Sequence, residues 1–430
     1  MNTADTAELI VGIDLRYLPV VTGMVEQSAI TFGLTKEGAQ NLCLAVEELL
    51  NVLAAAPGAG EKIRVTVRDG GYYTEACCYF PPHRIPVSAL NVTKVQNPYD
   101  ESVIENLGIV LAARVVDSLR LVREQDGLMS ICFTMDKIYP EQILPVQVLP
   151  PGPYAPGPYG QEDIKQFAQR VQQAYPSVIP EFFRFPGKVA DMVRSREFGI
   201  QLATDGKGNI GGGMLWRQGE KMIDSLGPYV FVPQPGLAEA IIQKVLENVS
   251  RKGAVCMVNR LPVPDVPKAF FEELAPPQVE DNGLLCERPL YRQLDEDTGS
   301  TVYVHPNLEP FVRQCIDRLV LPRNIVVTTY AGEFIEPHAA FGVQVARKRH
   351  LAILSTIVAG RDAAHILAQY VSSLDDDGIT RIRFKLDLGD ESEQVLVPAL
   401  RSAGFSPCYL LPWGGTGDIV VFEHRQRQGS

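Results

Sequence analysis

The sequence predicts an α/β protein made of an N-terminal α/β sandwich (residues 1–138), a proline-rich linker (139–160) and two mixed-sheet halves. We call residues 161–298 the first half and residues 299–430 the second half. Three observations support this prediction. Apolar residues alternate along some segments and recur at helical spacing along others. A strand, loop, helix, glycine and strand follow one another twice after residue 160. A single stretch without either period separates the sandwich from the halves.

The bulk composition indicates a multi-domain globular protein. The chain has 430 residues, of which 46% are hydrophobic, and this length exceeds what one hydrophobic core usually serves. Its formal net charge of −11, without a long basic run, argues against nucleic acid as the main partner. The first residues lack the basic and apolar segments of a signal peptide, and no apolar run approaches the ~20 residues that span a bilayer. We therefore expect a cytoplasmic protein with no membrane partner.

The eight cysteines show no CxxC pair and no histidine at metal-binding spacing. Most of them lie inside apolar runs such as EACCYF. Buried free thiols are therefore favoured over zinc ligands or disulfides.

The first 138 residues show the pattern strand, two helices, hairpin, irregular loop, helix, hairpin. Helices are predicted where apolar residues recur every three or four positions, and strands where they alternate. The predicted strands are 8–14, 62–68, 72–80, 120–124 and 128–135, and the predicted helices are 20–32, 36–55 and 107–119.

The helical segment Leu42–Asn51 carries two polar residues that could bind a ligand. Glu47 and Asn51 are four positions apart, so both side chains lie on one face of the helix. Such a pair is usually solvated helix surface. It is also what a metal-nucleotide site uses, since a carboxylate can accept a proton and an amide oxygen can ligate a hard cation.

With the following hairpin and the segment Asn106–Leu111, this helix resembles the anti-sigma-factor/serine-kinase branch of the GHKL ATPases. The resemblance implies a Mg-ATP site in which Glu47 is catalytic, Asn51 ligates magnesium and Gly108 lies over the phosphates. It also implies a regulatory protein partner and dimerisation through this domain.

Two positions depart from the GHKL pattern. Ala55 replaces a polar residue, and Tyr79–His83 lacks the carboxylate that would bind the adenine amino group, so kinase activity is not expected. Asp69-Gly70-Gly71 could be taken for the missing motif, but its place between two alternating segments favours a hairpin turn.

The linker contains seven prolines among residues 139–160 and shows almost no periodicity. Such a composition is typical of a semi-extended spacer. Its tyrosines could dock a partner, although a spacer is the commoner role.

Each half contains a strand, a glycine-bearing loop, a helix, a second glycine and a strand, which indicates a βαβ-type unit and an internal repeat of architecture. The units cover residues 221–258 and 351–386. With the later Gly404-Phe405 helix ending, both halves resemble the GNAT N-acetyltransferase fold. The resemblance implies an acetyl-CoA site at the loops, with Gln234 and Gly236 in the first half and Gly360 and Arg361 in the second. At each loop, however, a plain βα turn that needs glycine for its geometry is the favoured explanation.

Two hypotheses follow for function. The first is a signalling protein that combines an ATP-binding domain with an acetyl-CoA-dependent N-acetyltransferase module. The alternative is a non-catalytic, anti-sigma-type protein-binding regulator whose nucleotide and acetyl-CoA sites have decayed. The position at which many transferases of this family carry a tyrosine acid is Leu400, which cannot donate a proton.

Overall fold

The computed structural model describes most of the chain. The described residues are 5–56, 60–85, 91, 112, 115–124, 126–142, 148–176, 179–264, 266–275, 288–328, 336–346 and 350–424. Within them the protein has α/β architecture, with helices and strands in about equal proportion and four sheets, which confirms the predicted fold class. No helix in these ranges combines the length and the apolar character needed to cross a membrane.

In the N-terminal domain, the two long helices of the described residues pack on one five-stranded antiparallel sheet, which we call sheet 1. Its strand order is β1-β2-β3-β5-β4. The elements are β1 (Thr6–Gly12), α1 (Leu18–Thr31), α2 (Lys36–Ala55), β2 (Lys62–Asp69), β3 (Tyr73–Phe80), β4 (Ser118–Arg123) and β5 (Met129–Asp136).

Helix α2 has the bounds that the sequence predicts because both of its signals are strong. The Thr35 hydroxyl accepts a hydrogen bond from the Gly38 N–H at 3.2 Å, which caps the first turn. An apolar stripe that includes Leu42, Val46 and Leu49 is fully buried against sheet 1. The predicted helix 107–119 falls mostly outside the described residues, and its last two positions belong to β4, which begins at Ser118.

The cysteine prediction is wrong for one pair. Cys77 on β3 and Cys132 on β5 occupy paired positions on neighbouring antiparallel strands, and they form a disulfide. Alternation along each strand could not reveal this pair, because the register between β3 and β5 is a tertiary feature. Cys43, Cys78, Cys256, Cys315 and Cys408 are free thiols, as predicted.

The first half is a seven-stranded sheet, sheet 2, with three helices. Its order is β11-β12-β10-β9-β8-β7-β6, and β9–β10 is its one parallel pair within the described ranges. Strand β6 lies inside the predicted linker, so the end of the linker belongs to this sheet. The elements are β6 (Ala155–Gly157), α3 (Gln161–Ala174), α4 (Pro186–Arg194), β7 (Phe198–Thr204), β8 (Ile210–Gln218), β9 (Met222–Val230), α5 (Leu237–Val249), β10 (Cys256–Asn259), β11 (Glu272–Glu273) and β12 (Leu290–Gln293).

The second half contains a parallel strand pair, sheet 3, and a five-stranded sheet, sheet 4. Sheet 4 has the order β15-β16-β17-β19-β18 with β16–β17 parallel. The elements are β13 (Ser300–Val304), α6 (Glu309–Leu319), β14 (Arg323–Val327), β15 (Ala340–Ala346), β16 (Leu351–Val358), α7 (Ala363–Asp376), β17 (Arg381–Asp387), α8 (Leu396–Ser402), β18 (Phe405–Leu411) and β19 (Ile419–His424).

The predicted internal repeat is confirmed at the level of topology. The order β8-β9-β10-β12-β11 in sheet 2 matches the order β15-β16-β17-β19-β18 in sheet 4, and the second and third strands of each set are parallel. A helix joins each parallel pair, namely α5 in the first half and α7 in the second. Gly253 and Gly378, which follow these helices, adopt φ angles of 90° and 75°, a left-handed conformation that favours glycine.

The three parts of the chain pack against one another. Along β10, Met257 joins the core under the first-half helices, whereas Cys256 and Val258 join the core of the second half, because successive strand residues face opposite sides. The N-terminal domain contacts the first half through the Tyr72 hydroxyl, which donates to Glu197 at 2.8 Å. It contacts the second half through Ala340, which belongs to the N-terminal core.

Candidate functional site

The predicted nucleotide residues Glu47 and Asn51 lie one turn apart on α2 and are partly exposed. Among the described residues, neither side chain makes a hydrogen bond or an ion pair. The pair is thus geometrically available to a hard cation. Gly108, which was predicted to lie over the phosphates, falls outside the described residues.

The segment after β3 carries positive charge where the GHKL pattern has a carboxylate. His83 pairs with Glu61 at 3.0 Å, and the Arg84 guanidinium pairs with the other oxygen of Glu61. Arg84 is only 1% exposed, and it also donates to the carbonyls of Ala56 at 2.7 Å and Leu53 at 3.5 Å. It therefore binds the carbonyl end of α2, where the helix dipole favours a cation. Sequence reasoning missed this residue, since its partners are not its sequence neighbours.

In the first half, the predicted acetyl-CoA residues have structural partners. The Gln234 side chain accepts a hydrogen bond from the Tyr154 N–H and donates one to the Tyr154 carbonyl, both at 2.8 Å. The amide therefore joins the end of the linker to the loop after β9. Gly236 precedes α5 with a φ of +79°, and a side chain there would meet nothing within 4 Å.

The crevice beyond the parallel pair of the first half is bridged by a buried amide. Strands β9 and β10 stay paired as far as Ser225 and Asn259. Just beyond this point the Asn259 side chain, which is fully buried, donates to the Gly227 carbonyl at 2.6 Å. Ligands of open α/β sheets usually bind at the carboxyl ends of such strands, and here the protein's own amide fills that place.

In the second half, the loop between β16 and α7 is packed against the segment 336–340. The Arg361 N–H donates to the Glu336 carbonyl at 3.0 Å, so this amide is not available to a phosphate. Asp362 accepts from the Ala339 N–H at 2.6 Å and contacts the His338 ring at 2.9 Å. A side chain at Gly360 would overlap this backbone. Only the Arg361 side chain, which is exposed, could reach a phosphate from this loop.

The crevice of the second half also holds a protein side chain. The Glu393 carboxylate accepts a hydrogen bond from the Asp387 N–H at 2.9 Å, at the end of β17, and it lies beside Thr356 of β16. Burial raises the pKa of Glu393 to about 8, although the hydrogen bond from Asp387 opposes this shift. In both halves, therefore, a polar side chain of the protein lies in the crevice at the carboxyl ends of the parallel strands. The loop sequences did not indicate this feature.

A cavity of about 250 Å³ lies between sheets 2 and 4. Arg217, Asp224 and Arg260 line it from the first half, and Arg383 and Lys385 line it from the second. The rest of the lining described here is apolar or aromatic and includes Phe182, Phe198, Leu226, Ile353, Tyr409 and Val421.

The arginines of the cavity are held by carboxylates. Arg217 pairs with Glu197 at 2.7 Å, Arg260 donates to Asp224 at 3.1 Å, and Arg383 lies 3.6 Å from Glu423. In the part of the chain that the structure describes, no carboxylate lies within ion-pairing distance of Lys385. Burial and the charge of Arg260 lower the pKa of Lys385 to about 8, and Asp224 partly offsets this shift.

Comparison with known proteins adds no family to this description. No protein-family model matches the chain, and no curated protein matches it significantly. The function of the protein is therefore inferred from its own residues.

None of the predicted site residues that the structure describes lines the cavity between the sheets. The cavity residues were missed because most of them belong to strands that show ordinary alternation, and the two halves contribute side chains that are far apart in sequence. The one available signal was the positive charge inside otherwise apolar segments such as Arg381–Asp387, because a lysine or arginine is rarely buried without a reason.

Proposed function

We propose that this protein is a non-catalytic regulator, in which GNAT-like halves no longer transfer acetyl groups and instead form a scaffold for the N-terminal domain. One observation carries the proposal. In both halves, the crevice at the carboxyl ends of the parallel strands holds the protein's own polar side chain, Asn259 or Glu393. The strand order and the helix-linked parallel pairs support the GNAT-like resemblance, and the filled crevices support the loss of its cofactor.

Acetyl-CoA does not fit either loop as the residues stand. An anion site at a helix start needs backbone N–H groups that point at the ligand. The Arg361 N–H donates to the Glu336 carbonyl, and the Gln234 backbone N–H donates to the Val232 carbonyl at 2.8 Å, while the Gln234 side-chain amide is bound to Tyr154. A cofactor would have to break these bonds, so we assign no acetyl-transfer step to this protein.

Contacts with another protein are supported by the outer edge of sheet 1. Strand β1 is an edge strand, which leaves one row of its backbone groups without a neighbouring strand in the described sheet. On and after this strand, Ile10, Leu15 and Val20 are 56%, 50% and 53% exposed. Large exposed apolar side chains near an unpaired strand are typical of surfaces that bind proteins.

The test of the proposal is a thermal-unfolding series with acetyl-CoA. We expect millimolar acetyl-CoA to leave the melting temperature unchanged, because the Gln234 and Arg361 amides already form hydrogen bonds within the protein. A ligand at 100 times its Kd should stabilise the native state by about 2.7 kcal/mol, which such an assay detects readily. Thermal stabilisation by acetyl-CoA, or release of free CoA in the presence of amines, would contradict the proposal. Free CoA without its acetyl group serves as the matched ligand control.

A second candidate, binding of magnesium nucleotide by the N-terminal domain, is favoured by the Glu47/Asn51 pair alone. The Asn51 amide oxygen would hold the ion, and the Glu47 carboxylate would lie one turn away. For this candidate we expect Mg-ATP to raise the melting temperature and Asn51→Ala to abolish the rise. Asn41→Ala, on the same helix, is the control that should retain it. An equal rise in Asn51→Ala would show that Asn51 is not the ligand.

A further inference from the structure

The cavity between sheets 2 and 4 has the composition of a ligand site rather than of a packing defect. Empty cavities in proteins are lined by apolar groups, whereas the lining of this one includes three arginines, a lysine and one aspartate. The protein as a whole is acidic, with a net charge of −11, so the concentration of cations here is not a reflection of general composition.

The arginines are oriented before any ligand binds. Glu197, Asp224 and Glu423 each hold one guanidinium, which limits the rotamers that Arg217, Arg260 and Arg383 can adopt. Asp224 and Glu423 come from β9 and β19, and Glu197 directly precedes β7. Guanidinium groups held in this way bind carboxylates and phosphates with little loss of side-chain entropy.

Lys385 supplies a charge that makes no direct ion pair within the described part of the chain, although Asp224 lines the same cavity. Its side chain is half-buried in the wall formed by β17, and the described part of the chain places no carboxylate within ion-pairing distance of its ammonium. Burying an ammonium is costly unless an anion accompanies it. An anionic ligand would remove that cost, and for this reason the lysine favours the bound state.

The apolar part of the wall limits the ligand to a small organic anion. Water occupies roughly 30 Å³ per molecule in the liquid, so the cavity volume is equivalent to about eight waters. Phe182 and Phe198 lie with ring centroids 6.1 Å apart, and Leu226, Ile353 and Val421 provide further apolar surface. An inorganic ion would leave this apolar surface in contact with water, whereas an aromatic ring or a short alkyl chain would cover it.

From these features we infer that the two halves bind a small organic anion between their sheets, with a carboxylate or phosphate head at Lys385 and Arg260 and an apolar body against the aromatic wall. Neither Asn259 nor Glu393 belongs to the lining of this site. It adds ligand sensing to the proposed function and does not require that function to hold, since a protein that bound acetyl-CoA could still possess it.

The experiment uses the full chain with benzoate and phenyl phosphate as probes. Benzamide serves as the neutral isostere and inorganic phosphate as the head group alone, all at one ionic strength because salt screens charge. We expect at least one of the two aromatic anions to bind by calorimetry, and both benzamide and inorganic phosphate to bind at least about tenfold more weakly. Benzoate binding without phenyl phosphate binding, or the reverse, identifies the head group. Failure of both anions, or equal binding of benzamide, would overturn the inference.

Two variants locate the binding. Lys385→Met should weaken the anion about ten- to hundredfold, since hydrogen bonds to charged groups contribute about 1.5–3 kcal/mol. Lys244→Met, at a lysine on α5 that pairs with Glu247, is the matched control and should change nothing. Ile353→Phe narrows the apolar part of the cavity while keeping every charge, and it should also weaken binding. Unchanged affinity in either Lys385→Met or Ile353→Phe, as folded protein, would place the anion elsewhere.

The pH dependence gives an independent readout. Because the pKa of Lys385 is lowered to about 8, the ammonium is present below pH 8 and is lost above it, so anion affinity should fall between about pH 7 and pH 9. Lys385→Met should remove this dependence. An affinity that is flat across this range in the wild type would contradict the role of Lys385. The charged and titratable groups around it are Arg217, Asp224, Arg260, Arg383, Tyr409 and Glu423.

Discussion

Arg323→Met is expected to cause the largest loss of stability among single substitutions considered for this protein, about 3–5 kcal/mol in the unfolding of the second half. The side chain of Arg323 has 0% exposure. It donates to Asp418 at 2.7 and 3.1 Å and to Asp297 at 2.8 Å. Methionine keeps the volume but leaves two buried carboxylates without a cation, and this imbalance is the main cost.

The same cluster also joins the two halves. The Trp413 indole N–H donates to Asp297 at 3.1 Å, and the Arg323 guanidinium lies 4.7 Å from the Trp413 ring. The Lys221 ammonium, from the first half, lies 3.6 Å from that ring. Loss of Arg323 should therefore loosen the contact between the halves as well as the second half itself.

Tryptophan fluorescence during urea unfolding measures this effect, since Trp413 contacts the substituted residue. Arg313→Met is the matched control, because Arg313 forms an exposed i, i+4 pair with Glu309 and should cost at most about 0.5 kcal/mol. Adding Asp418→Asn to Arg323→Met should recover part of the loss, because it removes one of the carboxylates that Arg323 neutralised. A loss below 1 kcal/mol in Arg323→Met would show that the cluster contributes little.

Arg84→Met is expected to destabilise the N-terminal domain by about 2–4 kcal/mol. The substitution removes the charged hydrogen bonds to Glu61 and to the carbonyls of Leu53 and Ala56 at the end of α2. The carbonyls lose a buried donor, and the helix end loses its cation. Glu61 is 30% exposed and can be rehydrated, which is why the expected loss is smaller than for Arg323.

Hydrogen exchange of the last turn of α2, together with far-UV circular dichroism, follows this change. Arg16→Met in the same domain is the control, since Arg16 is 83% exposed and pairs only with Asp14 at the surface. Arg84→Lys should give an intermediate loss, because lysine keeps the charge but not the geometry that reaches both Glu61 and the carbonyls. Unaltered protection of the α2 terminus in Arg84→Met would refute the assigned role.

These two arginines show where sequence reasoning succeeded and failed. Helix α2 and strand β16 have the predicted bounds because capping and apolar periodicity are local signals. Strand β6 was assigned to the linker because Pro156 and the prolines around it suppress a strand signal, yet the strand pairs with β7. Arg84 and Arg323 carry no local signal, since a buried and an exposed arginine look alike in a sequence.

For the candidate sites as well, the sequence predicted the positions of the loops but not the partners of their polar groups. The Gly236 and Gly360 loops were placed correctly between strand and helix, because glycine and periodicity mark such turns. The sequence could not predict whether the Gln234 and Arg361 amides are free to bind a ligand, since Tyr154 and Glu336 bind them from other parts of the chain. Asn259 and Glu393, which fill the two crevices, were not singled out for the same reason.

The sequence by itself determined the α/β class, the sandwich at the N terminus and the repeated strand–helix–strand unit, because these follow from periodicity and turn residues within a few tens of positions. Only the tertiary structure decided which polar groups are satisfied internally and which remain for a ligand. Asp224, Arg260 and Lys385 meet across two sheets. Their separation in sequence is large, and the burial and electrostatic field that set their chemistry arise only when the sheets pack together.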